Sequence, residues 1–260
     1  MKSAAAWSPM RSYALEAKYE FLKMLRMPAY ALPAVTFPVM FYMLFGVMFG
    51  GGRPAGSTTV ATYMLATYGA FGVIGSALFG FGVGVAVERG QGWMTLKHAT
   101  PMPPLAYFFA KLVNAGMFAA IIVLLLSLAG VMFGGVRLAL GAWVQLVITL
   151  MLGAIPFCGL GLALGYFAGP NSSPAIVNLA YLPLSFASGL WIPIEMLPPA
   201  IKAAAPWLPP FHLGQLALAA VGAGRGGAVW AHVLALAGFG LIGLGIALVG
   251  YRREEDKTWG

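Results

Sequence analysis

The sequence predicts an all-α integral membrane protein with six transmembrane helices, and three observations carry that prediction. Hydrophobic residues make up 60% of the 260-residue chain and charged residues only 8%, against about 25% charged in an ordinary soluble domain. So few charges cannot cover the surface of a water-soluble globule. The chain also breaks into uncharged runs of the length a bilayer demands, roughly 20 residues for an apolar core about 30 Å thick. Finally, Lys and Arg collect at one set of run ends. The formal charge of +8 therefore reads as a topology signal. It forms no basic cluster interleaved with solvent-facing polar residues, so no nucleic-acid partner is expected.

The chain divides as follows. Residues 8–27 carry Leu15, Tyr19, Leu22 and Leu25 at helical spacing, with Arg11, Glu16, Lys23 and other charges elsewhere. That pattern predicts an amphipathic helix lying in the headgroup layer against membrane lipids. No apolar core precedes a cleavage site, so no secretory signal is expected. Spans are predicted at 29–50, closed by Gly50-Gly51-Gly52, then at 60–87 and at 106–133. The uncharged run after Arg137 is too long for one helix, and Gly169-Pro170-Asn171-Ser172-Ser173-Pro174 divides it into spans at 141–168 and 174–192. The sixth span is 228–250. Residues 88–104 form a loop. Residues 193–227, too apolar and too rich in Trp and Pro for a solvated loop, predict outer re-entrant or interfacial helices broken at Pro198-Pro199, Pro206 and Pro209-Pro210.

Orientation follows from the basic residues. With both termini cytoplasmic, the inner segments hold Lys2, Arg11, Lys18, Lys23, Arg26, Arg89, Lys97, Lys111, Arg252, Arg253 and Lys257, and the outer ones only Arg53, Arg137, Lys202 and Arg225. This is the positive-inside bias. Gly72, Ser76, Gly80 and Gly84 fall four apart in the second span, a small-residue stripe for close helix packing, and Gly161, Gly165 and Gly169 repeat it in the fourth. The single Cys158 reads as a buried packing residue.

The spans contain almost nothing ionisable, where an ion-coupled transporter places carboxylates or His. The chain also lacks a G-x-x-x-x-G-K-[ST] phosphate loop. Any driving force must come from another subunit. His98, His212 and His232 lie in separate segments without ligand spacing, so no metal site is expected.

Two segments carry a resemblance. Glu88-Arg89-Gly90-Gln91-Gly92-Trp93-Met94-Thr95-Leu96-Lys97-His98-Ala99-Thr100-Pro101 resembles the coupling-helix segment of type-2 ABC exporter permeases, roughly E-R-E-x-G-T-L-E-x-L-x-x-T-P. The match lies at Glu88, Arg89, Gly92, Met94, Leu96, Thr100 and Pro101. Gly90 and Thr95 stand where acidic residues are usual, and Trp93 where Thr is usual. Pro183 to Pro198 is similar to the family's P-x-x-x-x-S-G-x-x-x-P-x-E-x-L-P element through Ser188, Gly189, Pro193, Glu195 and Pro198.

The resemblance implies the membrane half of an ATP-driven exporter in a cell inner membrane. It is a transport subunit rather than an enzyme, and it holds no cofactor of its own. Two copies pair as a homodimer, each with one cytoplasmic ABC ATPase subunit that binds ATP and Mg. It further implies that Glu88, Arg89, Gly92, Trp93, Met94, Leu96, Thr100 and Pro101 couple to the ATPase. Ser188, Gly189, Pro193, Glu195 and Pro198 then form an outer gate, and Phe37, Phe41, Tyr63, Phe186 and Leu190 line the cavity. A lipophilic or amphiphilic substrate (a drug, antibiotic or lipid) is expected of such an efflux or multidrug permease, with polysaccharide or glycolipid export as the alternative. A remote alternative is a rhomboid-like intramembrane protease using Ser188 and His232, although Phe186 and Ala235 replace the small residues that bring the Ser and His helices together.

Overall fold

The computed structural model describes residues 9–93, 103–224 and 227–259. Among these, five helical segments are long and apolar enough to cross a membrane: Ala31–Met48, Val60–Gly90, Leu105–Met132, Leu140–Phe167 and Val229–Arg253. The chain runs α1 (Pro9–Leu25), then α2 (Pro28–Phe41), which continues as a π-helical stretch over Tyr42–Met48. A two-residue hairpin pairs Pro54 with Thr59 and Ala55 with Thr58. Next come α3 (Val60–Leu78), a π turn at Phe79–Val83 and α4 (Gly84–Gly90), which together make one continuous segment. The remainder is α5 (Pro104–Met132), α6 (Leu140–Phe167), α7 (Ser173–Ala187), α8 (Pro199–Ala204), α9 (Pro209–Ala220) and α10 (Val229–Trp259).

Prolines and one threonine set many of the starts. Pro104, Pro174, Pro199 and Pro209 sit in first turns, where a missing N–H costs nothing. Thr59 caps α3 by accepting a hydrogen bond from the Thr62 amide at 3.2 Å. The α3 segment is the centre of the bundle, with nearly every side chain buried beneath α2, α5, α6 and α9. Glycines let the neighbours approach. A Cβ on Gly72 would stand 2.6 Å from Ile122 and 2.9 Å from Pro38, and one on Gly165 would meet the carbonyl oxygens of Phe81 and Gly82 at 2.8 and 3.0 Å.

The fifth predicted span departs most from expectation. Helix α7 covers 15 residues, about 22 Å at 1.5 Å per residue, short of an apolar core about 30 Å thick. It stops at Ala187 rather than continuing to 192. Gly189 adopts φ +76°, and the chain closes with Leu190 N–H donating to Ser185 O and Gly189 N–H to Phe186 O. That pair of bonds is a Schellman cap, which a glycine in the left-handed region permits. After it, α8 begins at Pro199 and α9 at Pro209, while the 3-10 turns Ile194–Met196 and Ala205–Trp207 begin after Pro193 and at Ala205. Helix α9, too short to span, is largely buried against α3, α6 and α10.

Candidate functional site

Helix α1 presents two faces. The predicted apolar face stays open, with Leu15, Tyr19 and Leu25 exposed and Leu22 half-buried. The opposite face packs on α5: Ala17, Glu20 and Met24 are buried, Tyr13 meets Phe109 edge-on and Phe21 contacts Phe118. A carboxylate on that packed face needs cations. Glu20 Oε1 accepts from Lys111 Nζ at 2.7 Å and Glu20 Oε2 from Lys23 Nζ at 2.6 Å. Lys111, only 1% exposed on α5, also donates to Glu88 Oε1 at 3.1 Å. Lys23 donates to the same Glu88 oxygen, and the Tyr107 hydroxyl donates to Glu88 Oε2 at 2.7 Å.

Two acids and two bases thus meet at one point, supplied by three elements: α1 (Glu20, Lys23), α4 (Glu88) and α5 (Lys111, with Tyr107). Removing a charge of this kind from water costs several kcal/mol, and only close, hydrogen-bonded partners offset it. Gly84 faces the cluster closely, since a Cβ there would stand 3.2 Å from Lys111 Nζ. Burial alone would lower the Lys23 pKa, but Glu88 and Glu20 outweigh it and hold the ammonium above its ordinary value.

The next residue ties the cluster to α6. Arg89 Nη1 donates to the carbonyls of Gly165 and Tyr166 at 2.7 and 2.8 Å, and Arg89 Cζ lies 5.0 Å from the Tyr166 ring centre. Those carbonyls belong to the last turn of α6, where acceptors lack intrahelical partners and the helix dipole favours a cation. Gly90 abuts the turn after α6, so that a Cβ would meet Pro170 at 2.5 Å. Gly92 follows at φ +74°, where an added Cβ meets no atom within 4 Å among the described residues, and Trp93 is half-exposed. Met94, Leu96, Thr100 and Pro101 lie outside the described residues. The chain therefore enters the 88–104 segment from a point clamped to α1, α5 and α6.

These features meet an independent finding. The model of the ABC-2 type transporter family matches residues 13–221. The chain belongs to that family. It is also similar to "Putative transport permease YvfS" of Bacillus subtilis (strain 168), at 26% identity over 237 residues, 91% of this chain and 95% of the relative. The chain is a multi-pass membrane permease of ABC type, and the family implies an ATPase partner.

Within the permease, the remaining predicted site residues separate. Ser188 and Gly189 are the buried cap of α7, while Glu195 and Pro198 are exposed and Pro193 opens a short 3-10 turn. Phe41 is packed among Tyr68, Phe71 and Trp191, with ring centres at 6.4, 6.5 and 5.4 Å. Phe186 joins this group through Trp191 at 6.3 Å. Phe37 is exposed, whereas Tyr63 and Leu190 are buried. A separate apolar cavity of about 1200 Å³ lies among α5, α6 and α10, walled by Leu112, Leu152, Leu162, Val233 and Leu241. The Ser188–His232 pair that a protease needs is not formed. Ser188 Oγ is buried with no hydrogen-bond partner among the described residues, and His232 Nδ1 lies 2.9 Å from His212 Nδ1.

Glu20, Lys23, Tyr107 and Lys111 escaped the sequence reading as site residues because each sits among headgroup-type charges. The available signal was positional: Tyr13, Ala17, Glu20 and Met24 recur along a second helical face, with a carboxylate where an apolar residue is expected.

Proposed function

We propose that this permease is the membrane half of an ATP-driven exporter, two copies pairing and each docking one cytoplasmic ATPase subunit beneath the 88–104 segment. The observation that carries the reading is the buried cluster of Glu20, Lys23, Glu88 and Lys111, which joins the amphipathic helix, the end of α4 and the start of α5 where that segment begins. ATP-driven closure of the ATPase pair displaces the segment, and the cluster carries the displacement to three elements at once. Nucleotide binds one state of the ATPase pair better, and that difference shifts the population of the attached helices. The bias of Lys and Arg toward one set of segment ends supports both termini lying in the cytoplasm of an inner-membrane protein. Scarce charge and abundant aromatic surface suit a lipophilic or amphiphilic small molecule, moved outward.

Purification of the tagged permease from its native membrane in mild detergent, with mass spectrometry of stoichiometric partners, tests the assembly. An ATP-binding subunit at one-to-one is expected. A permease that transports without any such subunit overturns the reading. In the reconstituted complex, replacing Gly92 to Leu96 with a Gly-Ser linker is expected to leave basal ATP hydrolysis and abolish transport. Unchanged transport removes the coupling role from this segment.

A further inference from the structure

The apolar cavity of about 1200 Å³ is a groove on the flank of the bundle, since Leu105, Leu152 and Leu241 in its lining are all exposed. Helix α6 forms the floor from Ile148 to Tyr166, and α10 forms one wall from Val229 to Tyr251. Helix α5 supplies the opposite wall only through Leu105 to Leu112, a rise of about 11 Å. The three-sided part therefore lies at the end nearest the charge cluster, within one leaflet of an apolar core about 30 Å thick.

The two ends of the groove differ in chemistry. At the cluster end, Tyr107, Tyr166 and Tyr251 stand in the lining. The Tyr107 hydroxyl donates to Glu88, Arg89 lies over the Tyr166 ring, and Tyr251 meets Tyr166 edge-on with ring centres 6.1 Å apart. Tyrosines gathered at one end of an apolar surface mark the headgroup level of a membrane. Arg252 and Arg253 follow directly, both exposed, and Arg252 stands one helical turn beyond the lining residue Leu248. Away from this end the lining is apolar side chains and glycine, apart from Thr149 and Cys158.

The matching ligand has a long apolar body and an anionic head. The volume exceeds the roughly 300–1,000 Å³ of a small-molecule pocket, and an uncharged apolar molecule would leave the arginines unused. A second copy docked by this face would share the membrane orientation, bringing its own arginines to the same depth, like charge against like. Basic side chains beside a pocket between membrane helices are the arrangement that holds anionic lipid headgroups.

We propose that this groove binds one anionic phospholipid, with an acyl chain between α5, α6 and α10 and the headgroup phosphate held by Arg252. The reading is independent of the exporter assignment and rests on the membrane location alone.

The test gives full-length permease in mild detergent a phosphatidylglycerol with a diazirine in one acyl chain, followed by irradiation and peptide mass spectrometry. Label is expected on the α6 and α10 lining. Unlabelled phosphatidylglycerol is expected to displace it, and phosphatidylcholine is not. Arg252→Gln is expected to reduce that preference about fivefold, the worth of one basic side chain beside an anionic surface. Leu112→Trp, which fills the three-sided part from α5, is expected to remove label from α6 while label persists at Ile242 and Val249, exposed on α10 outside the groove. Equal displacement by the two lipids overturns the proposal, as does label spread evenly over the groove, Ile242 and Val249, the pattern of ordinary boundary lipid. A groove without label, as when another chain covers it, overturns it too. These outcomes are read on wild-type protein, so the decision stands even where a variant fails to fold. In a folded Arg252→Gln, an unchanged preference overturns the headgroup contact.

Discussion

The two ends of this bundle are held by different physics. At one end, four ionised side chains from α1, α4 and α5 interlock, and Arg89 caps α6 through two carbonyls. At the other end, apolar contacts among Ile194, Leu197 and Ala205 hold the turns around α8, α9 packs on the main apolar core, and single hydrogen bonds tie the rest, such as Ser57 Oγ to Gly222 O at 2.7 Å and Tyr68 Oη to Trp191 O at 3.1 Å. An ionic network penalises the loss of any member, because the survivors are left buried and unpaired. Apolar contacts degrade gradually. A part that must transmit displacement without slipping suits the first construction, and a part that must open suits the second.

The sharpest test of that contrast is Glu88→Ala. It leaves Lys111 and Lys23 facing only Glu20, and a loss of about 3–5 kcal/mol is expected. Lys202→Ala, at an exposed ammonium of the opposite end, is expected to stay within about 0.5 kcal/mol. Thermal unfolding of both variants in detergent gives the ordering. Equal shifts would break the comparison.

How much of this was legible beforehand differs between the same two ends. Proline breaks and the Ser188-Gly189 pair marked the short pieces after α7, since proline and glycine impose local backbone geometry that spacing alone reveals. The length of α7 was not legible: Leu190 to Ile192 are as apolar as a span, and only the φ of Gly189 shows the helix ending before them. At the cluster end, Glu88 and Arg89 stood out through their motif. Their partners did not, because pairing Glu20 with Lys111 joins residues far apart in the chain, and nothing local distinguishes Lys111 from a snorkelling lysine. The stripe of Gly72, Ser76, Gly80 and Gly84 was visible, yet the π turn at Phe79–Val83 shifts the helical register within it. Gly72 consequently faces α2 and α5, while Gly84 opens onto the charge cluster.

Two glycines in the left-handed region compare the ends at smaller magnitude. Gly189→Ala meets both a backbone penalty of about 1–2 kcal/mol and Ile194 Cβ at 2.9 Å, whereas Gly92→Ala meets the penalty with no described atom within 4 Å of the added Cβ. Gly189→Ala is expected to be the more destabilising in the same unfolding assay. Thr59→Ala removes the α3 cap and is expected to cost about 1 kcal/mol. That loss is read as faster amide exchange confined to the first turn of α3. Exchange that spreads along α3 would show that the cap, and not burial, holds this central helix.

The smallest effect expected is a pH dependence confined to the histidine end. Burial and the neighbouring His232 hold the His212 pKa below its ordinary value, against the raising influence of a hydrogen bond to the Pro206 backbone. The unfolded state therefore takes up the proton first. The contribution of neutral His212 is fully present above about pH 6.5 and declines as the pH falls from there through the lower folded value. Amide exchange in α9, corrected for its intrinsic pH dependence, is expected to rise between pH 7.5 and 5. Amides of α1 and α4 should hold steady over the same interval, because neither helix carries a histidine. His212→Gln should abolish the response in α9. Persistence of that response in the variant would assign the pH sensitivity of this end to another group, and loss of protection in α1 would show that the ionic end is the weaker of the two.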